Sequence, residues 1–343
     1  MSPAPTDLLT GLLRDVSRSF HLTLRVLPGA IRPQIGLAYL LARATDTIAD
    51  TEIVPVAQRL DALNALREAI LETSQAGAAP ALRLGELARH QGAPAERVLL
   101  ERIGEALALL RQFTPADQER IRAVLTTITG GQELDLQRFG GADVQRIIAL
   151  RTEQELDDYT YRVAGCVGEF WTRMCRAHVF PDAPMDDAAL LVNGVRFGKG
   201  LQLVNIVRDL PADLRQGRCY LPAEKLSASG LVPADLLHAE NEGRFRPLYD
   251  QFLALAQAHL AAGWDYTNAL PRRCVRVRLA CAWPVLIGVS TLARLRAENV
   301  LEPARRVKIN RAEVRGLLAR SLLCYPWPWA WQRLFMKAAN EVA

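Results

Sequence analysis

Four aspartates carry the chemistry that this sequence announces. Asp46 and Asp50 stand four residues apart in Arg43-Ala44-Thr45-Asp46-Thr47-Ile48-Ala49-Asp50. Asp209 and Asp213 repeat the spacing in Arg208-Asp209-Leu210-Pro211-Ala212-Asp213. On a helix, residues four apart share a face and lie about 6 Å apart along the axis. Like charges at that spacing weaken a helix, so the arrangement makes sense where something positive sits between them. A single pair of this kind is usually a solvated face. Here both pairs lie in apolar stretches, and an arginine precedes each, Arg43 and Arg208. Carboxylates without a neighbouring histidine or thiolate suit a hard cation. Mg2+ takes oxygen ligands in octahedral geometry, a few from carboxylates and others from water or phosphate. Arginine grips phosphate oxygens through a fork of N–H donors. The chemistry expected is diphosphate binding through Mg2+ and arginine.

Other chemistries lack their signatures. No Walker A loop and no GxGxxG after a strand is present, so a nucleotide phosphate donor in an α/β fold is not expected. The five histidines are scattered without an HExxH spacing, which argues against a zinc enzyme. The six cysteines form no CxxC pair and sit in apolar surroundings, as free buried thiols of a reducing cytoplasm would. The net charge of +5 and pI near 9.0 fit an acidic small-molecule substrate or an anionic membrane surface. That charge is too dispersed for nucleic acid, and no obligate protein partner is implied.

The elements that must position the aspartates are helices. Leu, Ala, Arg, Glu and Gln dominate the 343 residues, and alternating β-branched runs are nearly absent. Helices are expected near 7–24, 33–51, 55–74, 80–91, 94–112, 115–138, 143–177, 186–210, 233–241, 245–269, 271–298 and 311–324. Thr114-Pro115 reads as an N-cap with proline in the first turn, and Asp186-Asp187 as a helix start. No Gly-, Ser- or Pro-rich linker divides the chain, so one all-α domain over 1–343 is expected, with a central apolar cavity for a diphosphate on a long hydrocarbon. Leu279 to Ala293, interrupted by Pro284, is too short an uncharged stretch to span a bilayer. With no basic segment before an apolar block at the N-terminus, a cytoplasmic protein is expected. Trp327, Trp329, Trp331 and Phe335, beside Arg333 and Lys337, would give it peripheral membrane contact, unless they pack into the core.

Four blocks in order resemble the squalene and phytoene synthases, head-to-head prenyl transferases of the all-α isoprenoid synthase fold. They are Ser17-Arg18-Ser19-Phe20, the first aspartate block, Tyr159-Thr160-Tyr161-Arg162-Val163-Ala164-Gly165-Cys166-Val167-Gly168, and Gln202 through Asp213 followed by Gly217 to Pro222. The resemblance implies that Asp46, Asp50, Asp209 and Asp213 hold Mg2+ on farnesyl diphosphate. Ser17, Arg18, Ser19, Arg43, Arg208 and Arg218 would contact diphosphate oxygens. Tyr159 and Tyr161 would stand at the reacting end of the pocket, with Gln202 and Asn205 facing the same cavity. Taken singly, the serines read equally as caps, the tyrosines as core aromatics and the amides as satisfied buried groups. Within these blocks three positions depart from the family's pattern. Arg162 stands where many relatives carry tyrosine, Ala49 replaces an acid common in the first motif of eukaryotic squalene synthases, and Pro211 is expected to kink or end its helix, loosening the hold of Asp213.

The family divides by the fate of a cyclopropyl diphosphate intermediate. Squalene synthases reduce it with NADPH, phytoene and dehydrosqualene synthases lose a proton, and hydroxysqualene synthases add water. Arg305-Arg306-Val307-Lys308-Ile309-Asn310-Arg311 resembles the VKIRK segment that squalene synthases link to NADPH. The resemblance thus implies presqualene diphosphate formation from two farnesyl diphosphates, then reduction to squalene. Lys308, Asn310 and Arg311 would hold the cofactor, and Arg18, Arg43 and Arg208 would reach its phosphates. A non-catalytic helical assembly or lipid-binding protein is the reading from another class, and loss of the aspartates would mark it.

Overall fold

Residues with strong helix preference fill this chain, and the computed structural model, which describes residues 7–17, 20–72, 84–302 and 307–340, is accordingly all-α. The chain divides into two compact units, one formed by 1–140 with 170–182 and the other by 141–169 with 183–343.

The first unit opens with a π-helical turn, Leu8–Leu12, followed by α1 (Leu13–Ser17), α2 (Phe20–Val26), α3 (Arg32–Ala49), α4 (Val56–Leu71), α5 (Gly85–Arg89), α6 (Pro94–Glu101), α7 (Ile103–Leu110) and α8 (Pro115–Phe139). Helix α3 is its centre and packs against α4, α7 and α8. Leu37, Leu40, Leu41, Ala44 and Ile48 turn inward at helical spacing and are fully buried. The Thr114 hydroxyl accepts from Asp117 N at 3.2 Å, and Pro115 follows in the first turn, as the sequence leads one to expect. The helix expected over 94–112 breaks into two at Arg102, whose guanidinium binds Glu105 and Asp7. Residues 18–19, 73–74 and 80–83 of three expected helices lie outside the described residues.

The second unit comprises α9 (Glu153–Thr160), a π-helical turn at Tyr161–Gly165, the start of α10 (Cys166–His178), α11 (Asp187–Arg215), α12 (Ala223–Ala228), two 3-10 turns, α13 (Glu242–Ala269), α14 (Val275–Ala297), α15 (Arg311–Cys324) and α16 (Pro328–Asn340). Helix α11 packs against α13 and α14, and α14 in turn against α15 and α16. The helix expected from 143 begins only at Glu153, capped by Thr152, whose hydroxyl accepts from Glu155 N. Residues before it turn on the Asp143 carboxylate, which accepts from Gln145 N and Arg146 N. Ile148–Ala149 (β1) then pairs in parallel with Arg218–Cys219 (β2).

Two further expectations are corrected. Helix α14 runs through Pro284 for 23 residues, so it has the length and composition to cross a bilayer. However, 67% of its apolar window is buried against neighbouring helices, which identifies it as a core helix in this fold. Beyond 324, the proline- and tryptophan-rich tail forms α16, with Pro328 in its first turn. Trp331 is buried, stacks on Trp264 at 5.2 Å and donates Nε1–H to Asn268 Oδ1 at 2.8 Å. The tail is therefore half core and half surface, since Trp327 and Trp329 remain 55% and 61% exposed. All six cysteines are free, and four of them are buried.

Candidate active site

In the first unit, the apolar face of α3 fixes its last turn, and that turn carries Asp46. Asp50 is the residue just past the helix, with its N–H bonded to Asp46 O at 2.9 Å. Both carboxylates thus sit at the negative end of the helix dipole, where a cation is favoured and an anion is not. Arg59 Nη1 covers one terminal carbonyl, Ala49 O, at 2.6 Å. Burial, and next the charge of Asp50, push the Asp46 carboxyl up to about 6, against the pull of Arg43 and Gln132. Arg43, one turn earlier, is paired with Glu96 of α6. Burial alone would lower the Arg43 pKa, but the hydrogen bond and charge of Glu96, with Asp46 behind them, raise it. The buried Arg43 Nε has no hydrogen-bond partner. On α1, Ser17 is buried and its Oγ is likewise unpartnered. Arg18 and Ser19 lie outside the described residues.

Sequence reasoning missed one residue here. Gln132 of α8 donates from Nε2 to Asp46 Oδ1. It occupies Gly130-Gly131-Gln132, and only the placement of a polar side chain on the inward face of an expected helix marked it out.

In the second unit, Asp186 caps α11 by accepting from Ala189 N at 3.0 Å. The helix does not end at Pro211. It continues to Arg215, so Asp209 and Asp213 share one helix and occupy its last two turns. A proline at 211 leaves the carbonyl four residues earlier without its N–H. That carbonyl, Val207 O, accepts instead from the buried Tyr249 hydroxyl of α13 at 3.0 Å. Asp209 accepts from two guanidinium nitrogens of Arg208, with Nε to Oδ1 at 3.0 Å. This second pair therefore also stands at a helix C-terminus beside an arginine.

Upstream on α11, Asn205 Nδ2 donates to Gln202 Oε1 at 3.3 Å, and Gln202 Nε2 to the Tyr159 hydroxyl at 3.4 Å. The Tyr159 ring stacks on Tyr220 with centroids 4.6 Å apart. Tyr220, which sequence reasoning did not single out, follows β2 directly, and Arg218 lies in that strand. Tyr161 belongs to a different network. It opens the π-helical turn, its hydroxyl donates to Glu169 Oε2 at 3.3 Å, and Lys199 Nζ stands 5.8 Å from its ring centroid. Such turns gather at functional positions.

Near the C-terminus, Lys308 is exposed, and its carbonyl accepts from Arg294 Nη1 at 2.7 Å. The Asn310 side chain caps α15, accepting from Ala312 N and Glu313 N at 2.9 Å each, while Glu313 returns the bond to Asn310 N. Arg311 starts that helix. Arg305 and Arg306 lie outside the described residues.

The donor set fits a hard divalent cation. Among the described residues no three of His, Cys, Asp and Glu cluster as a closed metal cage. Two carboxylates at a helix end, with an arginine alongside, leave the remaining positions of an octahedron to water and phosphate, which is how Mg2+ is commonly held.

Comparison with known proteins gives a consistent picture. The family described as Squalene/phytoene synthase matches residues 13–313. A bifunctional lycopene cyclase/phytoene synthase of Blakeslea trispora is 30% identical over 89% of this chain and 46% of its own length. The chain spans about half the length of relatives of that bifunctional kind. A presqualene diphosphate synthase of Zymomonas mobilis is 29% identical over 89% of each chain. The solved structure of TcSQS with a bound ligand is similar in fold, with a TM-score of 0.74, 22% identity, and coverage of 97% of this chain and 90% of that one.

Proposed function

The chain belongs to the squalene/phytoene synthase family, and from that premise we propose that it joins two molecules of farnesyl diphosphate head to head into presqualene diphosphate and then reduces this to squalene. The observation that carries the reading is the pair of Asp-x-x-x-Asp spacings, each at the C-terminus of a helix with a buried apolar face and each beside an arginine. A single catalytic domain over residues 1–343 is part of this proposal.

In this reading Asp46, Asp50, Asp209 and Asp213 hold Mg2+, which when bound offsets the charge of the diphosphates. Ser17, Arg43, Arg208 and Arg218 donate hydrogen bonds to the oxygens on which charge grows as the allylic C–O bond breaks, together with Arg18 and Ser19. The unpartnered Arg43 Nε and Ser17 Oγ are donors free for that purpose. Tyr159, held by stacking on Tyr220 and by Gln202, has an oriented hydroxyl for the reacting end. The incubation that tests the reading supplies farnesyl diphosphate and Mg2+, with and without NADPH, and identifies the product. Squalene formed only with NADPH supports it.

NADPH, when bound, supplies the reducing equivalents of the second half-reaction, and Lys308 with Arg311 and the Asn310 amide N–H2 is proposed to recognise it. Exposed Lys308 is free to reach a phosphate, and losing one ammonium–phosphate contact costs about 5- to 150-fold in affinity. The Lys308→Ala enzyme should make the cyclopropyl diphosphate at close to the wild-type rate. It should accumulate that compound at limiting NADPH and recover squalene output at excess. An unchanged NADPH dependence removes Lys308 from the cofactor site. A second reading, in which the product is released as presqualene diphosphate, is favoured by the match to the Zymomonas mobilis relative over 89% of each chain. The same incubation decides it, since that product would then accumulate regardless of NADPH.

A peripheral membrane position is part of the proposal. Trp327, Trp329 and Met336 are exposed, and the Arg333 guanidinium lies 5.6 Å from the Trp329 ring centroid. Aromatic rings beside cations suit a headgroup layer. A Trp327→Ser/Trp329→Ser variant should lose several-fold in co-sedimentation with anionic phospholipid vesicles and unfold at the wild-type temperature, because neither ring is part of the core. Equal co-sedimentation of both proteins would dismiss the membrane role.

A further inference from the structure

Gln132 does more at Asp46 than fill space. Gln132 is buried, with 7% relative exposure. A carboxylate only accepts hydrogen bonds, so the amide must turn its N–H2 toward Asp46, as it does. That orientation commits the other end of the amide. The Gln132 Oε1 atom is buried and has no hydrogen-bond partner. A buried amide oxygen left unmatched is destabilising, and buried polar groups rarely go unsatisfied. A planar amide also cannot bring its nitrogen to Asp46 without bringing its oxygen close. A neutral carbonyl oxygen on an amide held against the Asp46 carboxylate is a ligand type that Mg2+ accepts.

We propose that Gln132 Oε1 is an additional ligand of the divalent cation held by Asp46 and Asp50, while its Nε2–H fixes the Asp46 carboxylate in the ligating orientation. The proposal rests on the Mg2+ reading above and deepens it.

The test uses the full-length protein carrying Asp209→Asn and Asp213→Asn, so that only the first pair binds cation. Mn2+ is titrated in the presence of inorganic pyrophosphate, and free Mn2+ is counted by electron paramagnetic resonance. Gln132→Met keeps length and burial but removes both the oxygen and the N–H, and should weaken Mn2+ binding by about 10- to 100-fold. Gln132→Glu keeps an oxygen in place and should bind within a few-fold of the parent, or more tightly. Parent-like affinity in Gln132→Met, or a Gln132→Glu protein as weak as Gln132→Met, overturns the proposal. Adding Asp46→Asn to the parent separates the two readings. If that change leaves affinity untouched, the Mg2+ assignment itself fails, whatever Gln132 does. Thermal unfolding followed by circular dichroism accompanies each variant. Should Gln132→Met not fold, the Gln132→Glu affinity against the parent still decides, with a loss of 10-fold or more counting against the proposal.

Discussion

Turnover of farnesyl diphosphate should fall by about 1,000-fold or more in Asp46→Asn, and comparably in Asp209→Asn, while the helical spectrum of each protein stays that of the wild type. A carboxylate bridging cation and phosphate supplies several kcal/mol of charge stabilisation at the transition state, and about 4 kcal/mol corresponds to 1,000-fold. The fold has no reason to suffer. Asparagine at 46 is isosteric, relieves the repulsion from Asp50 and removes a charge from the wrong end of α3. At 209 the loss is a partly exposed pairing with Arg208, worth about 1 kcal/mol at most. Steady-state rates on the purified variants, beside far-ultraviolet circular dichroism, make the measurement. Near-normal turnover by either one would sink the metal assignment.

An alanine at Gly168 or Gly198 should strongly destabilise the second unit. A Cβ at Gly168 would lie 1.8 Å from Gly194 O, and one at Gly198 would lie 2.1 Å from Ala164 O. Each contact is with backbone, so no rotamer relieves it. The Tyr161–Gly168 stretch and α11 would have to separate, at a cost of about 3 kcal/mol or more. At about 2–4 °C per kcal/mol for a unit of this size, that lowers the unfolding temperature by about 6–12 °C. Gly316, inside α15 with nothing within 4 Å of an added Cβ, is the control. Gly316→Ala should leave stability unchanged or raise it by up to about 1 kcal/mol. Gly168→Ala and Gly198→Ala melting with the wild type would show that the two backbones do not need this approach. The result also bears on how the Val163-Ala164-Gly165-Cys166-Val167-Gly168 block is understood, since its glycines serve packing.

What the sequence made legible was local. The aspartate spacings, the Thr114 and Asp186 caps and the inward stripe of α3 each depend on residues within one or two turns, so composition and period suffice. What it hid was set by distant partners. Residues 143–152 leave the helical pattern because Ile148–Ala149 pairs with Arg218–Cys219, some seventy positions on. Helix α16 forms on a segment full of aromatic rings because Trp331 finds Trp264 and Asn268. Gln132 becomes part of the site only through Asp46, 86 positions away. The break expected at Pro211 failed for the same reason, because its remedy comes from α13.

That remedy has a consequence for how this chain can vary. Pro211 removes a donor and Tyr249 returns one, so the two positions form an epistatic pair and neither has a fixed worth. While proline stands at 211, the tyrosine hydroxyl is indispensable to a buried carbonyl, and phenylalanine at 249 strands it. Once 211 regains an N–H, the hydroxyl at 249 becomes the group without a task. A drifting lineage must therefore restore the backbone donor at 211 before it surrenders the hydroxyl at 249, and the reverse order passes through a damaged intermediate.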